Sequence, residues 1–129
     1  MRKGLGLVTY LVRDYDEAIA WFTGALGFAL VEDASLGEGK RWVVVGPSDG
    51  DGAQLLLARA AGDHQAARIG DQAGGRVFLF LYTDDIVRDR AMMEAEGVSF
   101  AEPIRDEAYG RVCVFVDLYG AKWDLIERA

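Results

Sequence analysis

The sequence predicts an α+β fold built from two βαβββ modules, and three observations carry that reading. Short, β-branched apolar runs of strand length alternate with two helical stretches. Glycine, aspartate and arginine recur at matched places about 70 residues apart. An alanine- and glycine-rich stretch separates the two halves. The 129 residues suit a single domain, 1–129, made of modules at about 1–60 and 76–129 joined by a linker at about 61–75.

The elements follow in order. Leu5 to Val12 is too short for a helix and reads as a strand. Asp14 is placed to cap a helix, with Glu17 three residues on in capping-box position. Ala18, Trp21, Phe22 and Ala25 form its apolar face, and Gly27 stops it. Phe28 to Glu32 alternates as a strand, Ser35 to Gly39 is a turn, Arg41 to Val45 a strand, Pro47 to Gly52 a turn, and Gln54 to Ala58 a strand.

The second half repeats the order. Arg76 to Tyr82 is a strand, Thr83-Asp84-Asp85 caps a helix over Ile86 to Glu96, and Gly97 ends it. Val98 to Ala101 is a short strand before Pro103; Arg111 to Asp117 and Lys122 to Glu127 form a hairpin. Gly27 and Gly97 are 70 apart, as are Arg41 and Arg111, while Asp14 and Asp85 are 71 apart. Gly52 to Ala60 answers Gly120 to Ala129 with one residue inserted. One helix per half covers one face of its sheet and leaves the other face free.

Composition narrows the function. With 14 basic and 21 acidic residues the net charge is −7, which argues against nucleic acid or an anionic membrane as partner. The single Cys113 excludes an internal disulfide and fits a reducing, cytoplasmic setting. The single His64 excludes sites needing two histidines from one chain. No apolar run has the ~18–20 residues of a membrane span.

Val12 to Ala18 leading to Trp21-Phe22 and Leu26-Gly27-Phe28, together with Phe115 to Leu125, resembles the vicinal oxygen chelate superfamily of glyoxalase I, extradiol dioxygenases and the fosfomycin and bleomycin resistance proteins. The resemblance covers the whole chain. It implies paired modules forming a U-shaped, mixed-sheet cavity with helices on the outer face, and commonly a dimer. The family's enzymes hold a divalent metal with cavity histidines and glutamates. Those positions fall on Leu7, on Leu55 (Gln54 if the insertion is placed differently), on Phe78 (Val77 if the register slips) and on Asp124. Asp124 alone can bind a metal, so no metal and no other cofactor is expected.

Strand parity groups Thr9 and Leu11 with Leu7, Phe80 and Tyr82 with Phe78, Leu57 with Leu55, and Ile126 with Asp124. The resemblance turns Trp42 and Val114 inward, flanks them with Arg41 and Arg111, and puts Tyr109 at the cavity mouth. The expected ligand-binding residues are therefore Leu7, Thr9, Trp42, Leu55, Phe78, Phe80, Tyr109, Arg111 and Asp124, with Asp124 the catalytic candidate. Plainer readings stand beside these. Phe78 and Phe80 fit a packed core, Asp124 a solvated sheet edge, Arg41 and Arg111 structural roles, His64 an exposed linker residue, and Cys113 a small buried hydrophobe.

Three functions compete. The preferred one is a metal-free binder of a small, largely apolar molecule, as in the resistance proteins. The second is a lyase or isomerase related to lactoylglutathione lyase, or a dioxygenase-related enzyme, with Asp124 as base and Tyr109 or Arg111 as electrophile. The third is a dimeric interaction module with no ligand. A symmetric homodimer is expected, since each half leaves strand edges unpaired.

Overall fold

A computed structural model describes residues 2–48 and 52–129. The chain divides into two compact units, Met1–Ile69 and Gly70–Ala129.

The first unit runs β1 (Leu7–Val12), α1 (Tyr15–Gly24), β2 (Ala29–Gly37), β3 (Lys40–Gly46), β4 (Gln54–Arg59) and α2 (Gly62–Ala66). Its sheet has the order β1-β4-β3-β2, with β1 parallel to β4 and the other pairs antiparallel. Asp14 caps α1 as expected: its Oδ2 accepts a hydrogen bond from the backbone N–H of Glu17 at 2.8 Å. The helix buries Ala18 and Phe22, and Phe22 meets Tyr10 edge-on at 5.4 Å between ring centroids. Tyr10, Val12, Val43, Val45, Leu55 and Leu57 complete this core.

Two differences from the sequence reading concern this unit. β2 continues to Gly37 because only Glu38 and Gly39 turn the chain, both at positive φ, where the twist of a tight hairpin needs them. The expected linker also contains α2, which carries the exposed His64. Part of the turn expected at Pro47 to Gly52 (residues 49–51) lies outside the described residues.

The second unit runs β5 (Val77–Thr83), α3 (Ile86–Ala95), β6 (Ser99–Phe100), β7 (Arg105–Glu107), β8 (Gly110–Val116) and β9 (Lys122–Arg128). The order is β5-β9-β8-β6, with β7 also paired to β8 and β5 parallel to β9. Asp85 Oδ1 caps α3 by accepting from Arg88 N at 3.0 Å. The core here is Ile86, Met93, Cys113, Phe115, Trp123 and Leu125, with Phe115 stacked on Trp123 at 5.4 Å. β7 was not expected: Arg-Asp-Glu has no β-propensity and forms a strand only by pairing with the start of β8. The tight packing there needs Gly110, whose φ is +144° and whose added Cβ would lie 2.3 Å from the Glu127 carbonyl oxygen.

The turn between β8 and β9 is built on Asp117. Its Oδ1 accepts from the backbone N–H groups of Tyr119 and Ala121 at 3.0 Å each, and its Oδ2 accepts from Trp123 Nε1 at 2.9 Å. No helix is long and apolar enough to cross a membrane among the described residues.

Candidate functional site

In a sheet, cross-strand partners share a face, so the register decides which side chains can act together. In the second unit Asp124 pairs with Phe80 on β5 and with Val114 on β8. Tyr82 and Val112 pair with Ile126, and Arg105 on β7 pairs with Val112. These residues therefore occupy the face turned away from α3. Trp123, Leu125, Cys113 and Phe115 occupy the α3 side.

The far face combines two aromatic rings with a buried acid. Phe80 is 57% and Tyr82 55% exposed, while Asp124 is only 8% exposed. Asp124 Oδ1 is closed off from solvent and has no hydrogen-bond partner among the described residues. Burial is the main reason its carboxyl is pushed above the ordinary carboxylate range; Arg105 pulls it down and Glu102 pushes it further up. Arg105 is itself engaged. Its Nη1 donates to Glu102 Oε2, its Nε donates to Glu107 Oε1 at 3.0 Å, and Tyr109 is a further side-chain hydrogen-bond partner. Arg105 thus lends Asp124 charge at a distance, without a direct hydrogen bond.

Arg105 and Glu102 were missed by the sequence reading, which looked to Arg111 instead. The register corrects this. Arg111 pairs with Glu127 and Asp106 on the α3 side, with its Nε 3.5 Å from Asp106 Oδ1. A one-residue step along a strand reverses the face, and Arg111 stands one step from the Val112 row. The available signal was Gly110: a strand returning from a tight turn there puts Arg105 opposite Val112. Tyr109 is exposed in the turn between β7 and β8 and reaches the site only through Arg105. Phe78 is half-buried at a bulge, where the β5–β9 register shifts between Val77 and Leu79.

In the first unit the face turned away from α1 carries Leu7, Thr9 and Leu11 on β1, Gln54, Leu56 and Ala58 on β4, and Trp42 and Val44 on β3. Leu7 is 37% and Trp42 36% exposed, as a binding surface requires. Leu55 is corrected: it pairs with Val8 and Val45 in the core row with Tyr10, on the α1 side. The alternative residue, Gln54, pairs with Leu7. At the place where the repeat matches Asp124, the first unit has Leu56. Arg41 braces the α1 side, with its guanidinium on Asp33 at 2.8 Å and Asp16 at 2.9 Å and 5.1 Å from the Tyr15 ring centre. Cys113 is fully buried, and burial pushes its thiol up, as suits a packing residue.

The sequence matches the profile of the Glyoxalase/Bleomycin resistance protein/Dioxygenase superfamily over residues 4–125. The chain belongs to this superfamily. Among relatives, an uncharacterized protein of Shewanella frigidimarina (strain NCIMB 400) is 48% identical over 128 residues, covering 98% of this chain and 95% of its own. Among solved structures, UcmS2 is 28% identical with a TM-score of 0.83, covering 98% of both chains. TnmS3, an antibiotic binding protein from Streptomyces sp. CB03234, is 26% identical with a TM-score of 0.81, covering 99% of this chain and 98% of its own.

Superfamily enzymes commonly hold a divalent metal, which needs several hard or nitrogen donors together. Asp124 is flanked on its face by Phe80, Val114 and Ile126, none of which can ligate. Among the described residues no three His, Cys, Asp or Glu side chains are grouped to hold an ion.

Proposed function

We propose that this superfamily member binds a small, largely apolar molecule without a metal, on the far face of its second sheet. The observation that supports it best is the pairing of exposed Phe80 with buried Asp124, whose Oδ1 has no hydrogen-bond partner among the described residues. Desolvating a carboxylate oxygen without a hydrogen bond costs about 1–3 kcal/mol or more, a cost that a ligand's donor would offset. Exposed aromatic rings supply the flat apolar surface that such sites use. The likeness to an antibiotic binding protein at 26% identity points the same way.

The test is a screen of flat aromatic compounds, read by tryptophan fluorescence and repeated with Phe80→Ala and Asp124→Asn. Hits should weaken about tenfold in at least one variant; hits that bind both variants as well as the parent protein place the ligand elsewhere. Elemental analysis after dialysis addresses the metal. A stoichiometric ion whose removal abolishes ligand binding would overturn the metal-free reading. The raised Asp124 carboxyl also favours a second reading, a lyase or isomerase in which Asp124 moves a proton. Turnover lost in Asp124→Asn while binding persists would select it. We further infer a homodimer, since β1 and β2 are edges of their sheet, and a cytoplasmic setting, which the free Cys113 fits. Sedimentation equilibrium should give twice the chain mass.

A further inference from the structure

We propose that the ligand is a cation, a flat aromatic carrying a protonated nitrogen, and that Asp124 is the residue that selects it. This rests on the binding reading above and names the chemistry of that site.

Three observations separate a cation from a neutral or anionic ligand. First, Asp124 Oδ1 is a buried acceptor with no hydrogen bond among the described residues, so the missing group must be a donor. Second, Arg105 does not supply that donor, because its fork is spent on Glu102, Glu107 and Tyr109. Glu102 and Glu107 are ion-paired with Arg105, whereas Asp124 makes no salt bridge among the described residues, so its carboxylate is the charge an incoming group meets. An incoming anion is repelled, a neutral hydroxyl gains one hydrogen bond, and an ammonium gains the bond together with the field. Third, Phe80 is the direct cross-strand neighbour of Asp124, and its exposed ring offers an electron-rich face to the same cation.

The other charged groups of this face are accounted for. On β9, Lys122 Nζ donates to the Gly75 carbonyl at 3.4 Å, and the Arg128 guanidinium sits over the Tyr82 ring at 4.1 Å. On β8 the residues facing Asp124 are Val112 and Val114, and on β5 they are Phe80 and Tyr82. Arg105 and Glu102 are the charged groups that act on the Asp124 carboxyl.

Three probes of one shape test the idea: 1-naphthylmethylamine as the cation, 1-naphthalenemethanol as the neutral donor and 1-naphthoate as the anion. Binding is measured by calorimetry at pH 7.5. The ammonium should bind about ten- to a hundredfold more tightly than the alcohol, the span expected when a hydrogen bond becomes charge-assisted, with the carboxylate weakest. Asp124→Asn should reduce the ammonium to the level of the alcohol and leave the alcohol within about twofold. Glu107→Gln, whose side chain reaches the site only through Arg105, should weaken the ammonium less than Asp124→Asn does. Equal affinity for all three probes, or an ammonium preference that survives in Asp124→Asn, overturns the inference. If equal affinities fall together in Phe80→Ala, the apolar-binding reading still stands. No binding of any probe overturns the inference, and if the aromatic screen also yields no ligand, the binding reading falls with it.

Discussion

Two aspartates seven residues apart in one hairpin, both buried, show opposite solutions to the same physical problem. Asp117 is 6% exposed and accepts three hydrogen bonds, two from backbone N–H groups of its own turn and one from the Trp123 indole. Asp124 is 8% exposed, and its Oδ1 has no hydrogen-bond partner among the described residues. Only the first is explained by folding. A buried carboxylate that accepts several hydrogen bonds holds its turn together, whereas one lacking them weakens the fold unless something outside the chain completes it. The first unit sharpens the contrast, because Leu56 occupies the matching place on β4 without any such cost.

The largest effect expected from this comparison is at Asp117. Asp117→Ala orphans two backbone donors and the Trp123 N–H, and should lower the unfolding free energy by about 3–5 kcal/mol in urea titrations. A loss under about 1 kcal/mol would mean the turn holds itself without the carboxylate. Asp124→Leu should act in the other direction. Replacing a poorly satisfied acid by the residue its counterpart position already uses should raise stability by about 1–2 kcal/mol at neutral pH. Destabilisation instead would show that Asp124 is already satisfied in the free protein.

That gain should depend on pH, and its sign follows from the raised carboxyl. The folded protein holds the Asp124 proton more tightly than the unfolded chain, so the penalty is absent below the ordinary value of 3.8. It grows as pH rises through the raised value and is complete above it. Urea titrations of the parent protein and Asp124→Leu from pH 3 to pH 7 should therefore diverge as pH increases. The smallest effect is expected at Phe80. With 57% of the residue exposed, Phe80→Ala should cost less than about 1 kcal/mol of stability while still weakening aromatic ligands.

Much of this arrangement was legible in the residues. Asp14 and Asp85 announced the starts of α1 and α3; alternation grouped Phe80 with Tyr82, Thr9 with Leu7 and Asp124 with Ile126, and the family resemblance turned those groups to the helix-free faces. What failed did so for specific reasons. Leu55 and Arg111 were each one residue out of phase, and in a strand one residue is the difference between core and open face. A bulge interrupts the register at Phe78, a feature that parity cannot anticipate. Arg105 lay in a strand of three charged residues that is defined only by its partner, so no local pattern pointed to it. That Asp124 Oδ1 finds no hydrogen bond among the described residues is a fact of packing, which local sequence pattern does not encode.

The most direct test of the account is the titration of the Asp124 carboxyl itself, followed by carbon-13 NMR in the free protein and with saturating 1-naphthylmethylamine. The account predicts a carboxyl raised above the ordinary 3.8 in the free protein that moves down when the ammonium binds, because the ion pair favours the charged form. An ordinary value in the free protein, or a raised value that bound amine leaves unchanged, would contradict it.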